Sequence, residues 1–198
     1  MIIWINGAFG SGKTTVAHEL RRRVPGALLF DPEHIGFFLR QQAPSVFPEK
    51  DFQDIPLWRS FTRQILTTIS GRHPGVLIVP MTLVNPQYYH EIITFLQEGG
   101  VEVEHYILSA TKKTLLKRLR LRSLRGLGQE SFAVQNIDRC LHSFDHLITC
   151  TRIETDQLTI DQVVQEIARR SNLPLRKERR RPWRKRLDRL AVLLRHIR

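Results

Sequence analysis

The segment Gly7-Ala8-Phe9-Gly10-Ser11-Gly12-Lys13-Thr14 constrains the fold of this chain more than any other feature. It matches the pattern G-x-x-x-x-G-K-[ST] without a gap, and a short apolar run, Ile2 to Ile5, precedes it. Glycines let successive backbone N–H groups turn inward around phosphate oxygens, and a following helix adds its positive dipole end. Lys13 is then expected to reach the β- and γ-phosphates, and the Thr14 hydroxyl to bind Mg²⁺. The sequence therefore predicts a phosphate-binding loop (P-loop) between a buried strand and a helix.

Apolar runs and segments with helical spacing alternate along the rest of the chain. The predicted strands are Ile2–Ile5, Ala27–Phe30, Val76–Val79, Val101–Leu108 and a fifth near Leu147–Ile153. The predicted helices cover residues 13–23, 51–70, about 85–98, 111–124, 132–145 and 160–171. Such alternation predicts right-handed βαβ units. The expected fold class is α/β, a five-stranded parallel sheet with helices on both faces, of the P-loop, nucleoside-monophosphate-kinase-like kind.

A carboxylate follows the second predicted strand at Asp31, about 18 residues after Lys13. In a small P-loop kinase this strand end lies beside the γ-phosphate, so the carboxylate can accept the proton of an acceptor hydroxyl. The other interpretation is structural, since Asp is favoured in Asp-Pro turns and at the N-cap of a helix that starts near Glu33.

The predicted helix 111–124 is rich in arginine, and Arg118 and Arg122 share one of its faces. Gly126 and Gly128 follow, so we predict a lid over about residues 118–131 that brings guanidinium groups onto a phosphoryl group. A solvated basic face is the alternative. We predict four catalytic residues, namely Lys13, Asp31, Arg118 and Arg122.

Two expected motifs are missing from the sequence. The third strand runs into Pro80-Met81-Thr82 without an acidic residue, so the Walker B carboxylate of many P-loop enzymes is absent. Thr14 is left as the metal ligand, with Asp31 acting through water. No Asn-Lys-x-Asp guanine-reading motif occurs, which favours ATP over GTP. The predicted ATP-binding residues are Gly7, Ala8, Phe9, Gly10, Ser11, Gly12, Lys13, Thr14 and Thr15.

Residues 33–62 lie where small kinases place their acceptor-binding elements. Aromatic rings there could stack on a base or sugar, and arginines could hold an acidic group. The aromatic residues fit equally well as core residues at helical spacing. The candidates are Phe37, Phe38, Arg40, Phe52, Trp58 and Arg59.

The net charge of +12 is concentrated at the C-terminus. Residues 176–198 contain eleven Lys/Arg and two acids, so they carry +9 and the remainder +3. Apolar residues fall at 183, 187, 190, 194 and 197, one stripe of a helix. We therefore divide the chain into a kinase-like domain, 1–174, and a basic amphipathic tail, 175–198. The tail suits an anionic membrane surface; packing of its stripe on the domain and contact with nucleic acid are the alternatives.

The location of the protein is predicted from what its sequence lacks. Two cysteines, Cys140 and Cys150, fit no metal spacing or disulfide framework. No apolar stretch reaches the roughly 20 residues that span a bilayer, and the N-terminus is unlike a signal peptide. We expect a cytoplasmic protein that associates peripherally with the inner face of the cell membrane.

Several segments together resemble the bacterial tunicamycin resistance protein family. They are Met1–Thr14, Asp31–Glu33, Asp51–Gln53 with Pro56–Arg59, Ile78–Thr82, Thr114–Arg120 and Gln135–Cys140. The Pro-Leu-Trp-Arg and Val-Pro-Met-Thr segments are far more specific than the P-loop, and through them Arg59 and Thr82 join the predicted substrate-binding residues Asp31, Arg40, Phe52 and Trp58.

The resemblance implies an ATP-binding protein that protects cells from tunicamycin, a uridine-containing nucleotide-sugar analogue with many hydroxyls. A kinase-like site suggests that one hydroxyl is phosphorylated. The alternatives are ATP-dependent sequestration of tunicamycin without chemistry and an ordinary nucleoside or nucleotide kinase. The resemblance also implies a membrane-associated C-terminus.

Overall fold

A computed structural model describes residues 1–124, 131–146, 148 and 150–195 of the chain. Its strands are parallel neighbours in the order β2-β3-β1-β4-β5. The strands are β1 (Ile2–Gly7), β2 (Leu28–Leu29), β3 (Leu77–Pro80), β4 (Val103–Ser109) and β5 (Thr151–Glu154). The helices are α1 (Lys13–Arg23), α2 (Glu33–Gln42), α3 (Pro56–Arg72), α4 (Pro86–Tyr89), α5 (Phe95–Glu98), α6 (Lys112–Leu124), α7 (Ser131–His146), α8 (Ile160–Arg170) and α9 (Pro182–Arg195). The predicted fold class is confirmed.

Strand β1 occupies the centre of the sheet and is buried along its whole length. Ile2 and Trp4 face a core that includes residues of α3 and α5. Ile3 and Ile5 face the opposite core, which includes residues of α1 and α8. Burial on both faces explains why this strand reads as a continuous apolar run. The carboxyl ends of the parallel strands therefore meet at one edge of a rigid sheet, the edge on which ligands bind in such folds.

The predicted helix over 51–70 is divided in two in the structure. The Asp51 side chain accepts a hydrogen bond from the backbone N–H of Gln53 and starts a 3₁₀ turn, Phe52–Asp54. Proline at the first position of α3 then starts a separate helix. Apolar spacing alone did not reveal this break, because both pieces keep the same buried side.

The strand ends differ from the prediction, most clearly in β2 and β5. Strand β5 begins at Thr151, four residues later than the predicted start at Leu147, and β2 is limited to Leu28–Leu29. In both cases the apolar run extends beyond the residues that pair with a neighbouring strand. A run of apolar residues reports burial, whereas the strand ends are set by backbone pairing.

Helix α9 is attached to the domain through charged side chains. Arg180, two residues before α9, donates hydrogen bonds to Glu19 of α1 at 2.6 and 2.8 Å and to Glu178 at 2.9 Å. Arg22 bonds the same two carboxylates. Glu19 is buried, and the hydrogen bond from Arg180 is the main cause that lowers the pKa of Glu178 to about 2. Both carboxylates are thus ionised and shared between two arginines.

The apolar edge of α9 faces away from the domain. Lys185 and Arg189 of α9 donate to Asp161 of α8 at 2.9 and 3.1 Å. Trp183 and Leu187 remain 57% and 56% exposed. Of the described stripe residues, Trp183 and Leu187 thus do not pack on the domain, whereas Leu190 is half-buried, and the alternatives for the tail stay predictions. None of the described helices is long and apolar enough to cross a membrane.

Replacing Glu19 by Gln should loosen α9, because two arginines lose the carboxylate that they share. We expect the free energy of unfolding to fall by about 1–3 kcal/mol, the range for charge-assisted hydrogen bonds at a buried group. Urea denaturation measures this change, and hydrogen exchange of the amides of α9 should become faster.

Glu166→Gln is the matched control, since Glu166 also forms ion pairs with two arginines but lies on the surface of α8. It should leave the exchange of α9 unchanged. Equal exchange in wild type and Glu19→Gln would show that this network does not hold the helix.

Candidate nucleotide-binding site

The P-loop connects the end of β1 to the start of α1, as predicted. Gly7 has φ +147°, and a Cβ there would lie 2.7 Å from the carbonyl oxygen of Leu108 on β4. Gly12, the residue before α1, has φ +97°. Both positions require glycine, the first for close approach of two strands and the second for left-handed backbone. The first N–H groups of α1 are thereby directed towards the space above the loop.

Asn6 fixes the loop relative to the neighbouring strand β3. Its side-chain oxygen accepts the backbone N–H groups of Gly7 at 2.8 Å and Leu83 at 3.0 Å, and its amide donates to the Leu83 carbonyl at 2.8 Å. Thr82 donates to the carbonyl of Gly7 at 3.0 Å. The sequence predicted Thr82 as a substrate contact, and the structure places it, buried, as a support of the P-loop. The sequence pattern did not indicate this role of Asn6, although the residue directly precedes the P-loop motif.

The Lys13 ammonium lies over the loop, where it donates to the carbonyls of Gly7 at 2.9 Å and Ala8 at 3.2 Å. Burial lowers the pKa of Lys13 to about 8. Glu33 and Asp31 oppose this shift and Arg122 adds to it, so these three charged groups all act on the ammonium. The site thus combines a poorly solvated cation with two carboxylates and a guanidinium.

Asp31 is held at the start of α2. Its Oδ1 accepts the backbone N–H of Glu33 at 3.0 Å, and its side chain is buried. The helix-capping interpretation is therefore correct for one oxygen, and the negative charge of the same carboxylate favours the charged form of Lys13. Glu33 lies in the first turn of α2. The sequence did not indicate it as a site residue, because it belongs to no recognisable motif.

The two predicted lid arginines are directed to different places. Arg118 donates hydrogen bonds to the hydroxyl of Thr155 at 3.1 Å and to the backbone carbonyl of Thr155 at 2.7 Å. These bonds tie α6 to the end of β5. Arg122 lies one turn later and acts on Lys13. Residues 125–130 of the predicted lid lie outside the described residues. The roles of Arg118 and Arg122 in catalysis remain predictions.

Helix α7 covers one side of the P-loop. The ring of Phe9 meets Phe132 edge to face at 5.7 Å between centroids, and the Phe9 backbone N–H donates to the thiol of Cys140. Burial raises the pKa of Cys140, so the thiol is a neutral packing group. The sequence did not identify this contact, because it joins residues that are far apart along the chain.

Trp58 and Arg59 both lie at the start of α3, and both are committed to contacts within the protein. Trp58 is fully buried and donates from its indole to the carbonyl of Pro32 at 2.9 Å. It is therefore a core residue that supports the segment of Asp31, contrary to the expectation that it contacts substrate. Arg59 bonds Glu91 at 2.6 Å and lies 4.2 Å from the ring centroid of Tyr88.

Arg40 and Phe52 form a neighbouring contact on α2 and the 3₁₀ turn. Arg40 donates to the carbonyls of Glu49 and Lys50, each at 2.6 Å, and lies 5.6 Å from the centre of the Phe52 ring. Phe52 packs over Gly36, where a Cβ would come within 2.4 Å of the ring. These residues shape the wall of the acceptor region, and their contact with a substrate remains a prediction.

The residues around the loop fit Mg²⁺ and a triphosphate. The donors near Lys13 are the hydroxyl of Thr14 and the carboxylates of Asp31 and Glu33, and oxygen donors are what this hard cation prefers. The buried hydroxyl of Ser11 has no hydrogen-bond partner in the described part of the chain, which suits a phosphate oxygen. No acid follows β3, and the carboxylates available to the site are instead the two at the start of α2.

The lowered pKa of Lys13 predicts how nucleotide affinity depends on pH. Bound phosphates favour the charged ammonium, so the pKa rises on binding and a proton is taken up above about pH 8. The dissociation constant of ATP should therefore increase as pH rises beyond 8, by at most about tenfold per pH unit. Calorimetric titrations across this range measure the change.

Lys13→Arg is the control, since a guanidinium stays charged at these pH values. Its affinity, whatever its absolute value, should not fall above pH 8. A flat profile for the wild type would contradict the lowered pKa.

Comparisons with known proteins agree with this geometry. Residues 2–147 match the family described as AAA domain. The structure of the Deinococcus radiodurans tunicamycin resistance protein superimposes with a TM-score of 0.73 and 31% identity, covering 89% of this chain and 99% of that one. No curated protein sequence matches.

Two kinases of lower identity share the fold. A sugar kinase from Janibacter sp. has a TM-score of 0.63 and 16% identity over 87% of this chain and 94% of its own. A gluconokinase from Sinorhizobium meliloti has a TM-score of 0.60 and 15% identity over 86% and 93%. The P-loop thus belongs to a kinase-like, nucleotide-binding fold. The chain belongs to the AAA domain family and to the tunicamycin resistance protein family.

Proposed function

We propose that this protein transfers the γ-phosphoryl group of ATP to a hydroxyl of tunicamycin and so confers resistance to the drug. The observation that carries the proposal is the buried carboxylate of Asp31, which follows β2 in the same parallel sheet as the P-loop and, with Glu33, favours the charged form of Lys13. A protein that only holds a triphosphate needs the loop, whereas transfer to a hydroxyl also needs a group to receive its proton. Similarity to the Deinococcus radiodurans tunicamycin resistance protein supports the choice of acceptor.

The proposed reaction is an in-line displacement at the γ-phosphorus. The acceptor oxygen forms a bond to phosphorus, the bond to the β–γ bridging oxygen breaks, and ADP leaves. Asp31 takes the acceptor proton, and the hydrogen bond from the N–H of Glu33 to its Oδ1 holds the carboxylate in place. Lys13 and Arg122 stabilise the charge that develops on the phosphoryl oxygens.

Thr14 would hold Mg²⁺ directly, with Asp31 and Glu33 acting through water, and the bound ion would supply charge that neutralises the β- and γ-phosphates. The protein's own contribution is to hold these groups in place before the reaction. Asn6 and Thr82 fix the loop, and Trp58 fixes the backbone next to Asp31.

ATP-dependent sequestration without chemistry is the second candidate. One observation favours it, namely that β3 ends at Pro80 and is followed by Met81-Thr82, so no metal-binding acid stands there. A site that binds Mg-ATP loosely could still close around the drug. The two candidates make opposite predictions for the mass of recovered tunicamycin.

Incubation with Mg-ATP should increase the mass of tunicamycin by one phosphoryl group, as measured by mass spectrometry. Asp31→Asn should retain ATP binding but slow this turnover by at least about 100-fold, because the amide cannot accept a proton. It keeps the side-chain oxygen that caps α2, so the fold should not change.

Glu33→Gln is the matched control and separates the two acids. At saturating Mg²⁺, we expect Glu33→Gln to slow phosphoryl transfer less than Asp31→Asn does. If Glu33→Gln is the inactive variant and Asp31→Asn is active, the proton acceptor is Glu33. Unmodified drug together with tight binding would favour sequestration, and phosphorylation of nucleosides alone would favour an ordinary nucleoside kinase.

Peripheral contact with an anionic membrane is the second part of the proposal. The charged side of α9 is bound to α1 and α8, so its apolar edge with Trp183 and Leu187 is presented outward. Basic residues flank this edge, and such a surface suits the interface of an anionic bilayer. The protein would then act at the inner face of the cell membrane, without detaching the helix from the domain.

The double variant Trp183→Ser/Leu187→Ser should reduce the fraction of protein that sediments with phosphatidylglycerol vesicles. Each removed side chain loses most of its transfer free energy, so the partition coefficient should fall by about tenfold or more. Cosedimentation at fixed salt measures this change.

Val46→Ser/Val134→Ser is the control, because both valines are exposed elsewhere on the surface. It should bind vesicles as the wild type does. If the Trp183→Ser/Leu187→Ser variant sediments with vesicles as much as the wild type does, the apolar edge of α9 is not the membrane contact.

A further inference from the structure

A groove of about 670 Å³ lies between the end of α1 and the segment that leads into α9. We call it the basic groove. Seven of its lining residues are cationic and one, Glu178, is acidic; the lining residues are Arg22, Arg176, Lys177, Glu178, Arg179, Arg180, Arg181, Trp183 and Arg184. It is separate from the P-loop, because Arg22 follows Lys13 by nine residues, about 14 Å along α1.

The cations of the basic groove form two groups. Arg22 and Arg180 are bonded to Glu19 and Glu178 and so build the wall of the groove. The other five are exposed, and within the described ranges none forms an ion pair; they are Arg176, Lys177, Arg179, Arg181 and Arg184. The only acid in the lining is thus already shared by two arginines, and five positive charges are left for a ligand.

The backbone around the groove is held in place from both sides. Arg176 donates its N–H to the carbonyl of Arg23 at 2.8 Å, and Arg23 donates from its side chain to the carbonyl of Arg176 at 3.2 Å. Arg180 also bonds Asp188 of α9 at 2.5 Å. Five like charges on a fixed backbone repel one another, and a multiply charged anion relieves that repulsion.

The chemistry of the lining selects the kind of anion. Arginine donates two parallel hydrogen bonds to phosphate oxygens, and four of the five unpaired cations are arginines. Trp183 adds an exposed aromatic ring at the same groove. We propose that the basic groove is a second phosphate site, which binds a terminal phosphate or diphosphate group of either a lipid headgroup or a soluble molecule. The proposal does not depend on phosphoryl transfer at the P-loop.

Trp183 provides a selective probe of this site. The chain has three tryptophans, and Trp4 and Trp58 are fully buried. Quenching of fluorescence by acrylamide therefore reports mainly on Trp183. Pyrophosphate at the P-loop would lie too far along α1 to shield this ring, so protection from quenching marks occupancy of the basic groove.

The test is a titration of the full chain with pyrophosphate at constant ionic strength, in magnesium-free buffer. We expect saturable protection of Trp183, and a dissociation constant raised at least about tenfold in Arg181→Gln/Arg184→Gln. Arg72→Gln/Lys113→Gln removes two exposed cations outside the groove and should bind as the wild type does.

Vesicles distinguish the two sources of phosphate. Phosphatidic acid presents a terminal phosphate, whereas phosphatidylglycerol at equal surface potential does not. If the protein prefers phosphatidic acid and Arg181→Gln/Arg184→Gln abolishes that preference, the basic groove binds a lipid headgroup. If pyrophosphate protects Trp183 but the protein shows no preference for phosphatidic acid, the basic groove binds a soluble phosphate. Equal binding of both vesicles together with no effect of pyrophosphate would overturn the proposal, while leaving the membrane contact of α9 intact.

Discussion

The fully buried side chain of Asn6 makes the contacts on which the rest of the site depends. It accepts N–H groups from Gly7 and Leu83 and donates to the carbonyl of Leu83, so the end of β1 and the chain beyond β3 become one unit. Buried polar groups with their hydrogen bonds satisfied hold a single geometry, since any shift would leave one of them unpaired. The P-loop therefore begins from a fixed position, and Lys13 is placed by the sheet.

The acceptor side of the site is built by a similar use of polar side chains. Trp58 and Arg59 use their polar atoms on Pro32, Gln53 and Glu91. They hold α2 and α3 together and thereby place the carboxylates at the start of α2. Residues that resembled ligand contacts in the sequence thus act one layer further out.

The C-terminal helix shows how an amphipathic pattern can be used in reverse. A stripe of apolar residues usually faces the core, yet here Glu19 and Asp161 bind the basic side of α9. Arg189 pairs with both Glu19 of α1 and Asp161 of α8, and Trp183 and Leu187 remain exposed. The helix is consequently both attached and able to present an apolar edge.

The sequence by itself determined the P-loop, the central strand and the parallel α/β class, because a local motif and hydrophobic periodicity depend on neighbouring residues alone. It also predicted that Asp31 follows the second strand, through the length of one βαβ unit. Tertiary structure decided which charges influence Lys13, since Glu33 and Arg122 act on it from two different helices. It decided the orientation of α9 as well, because complementary charges on α1 and α8, far away in the chain, select the side of the helix that is bound.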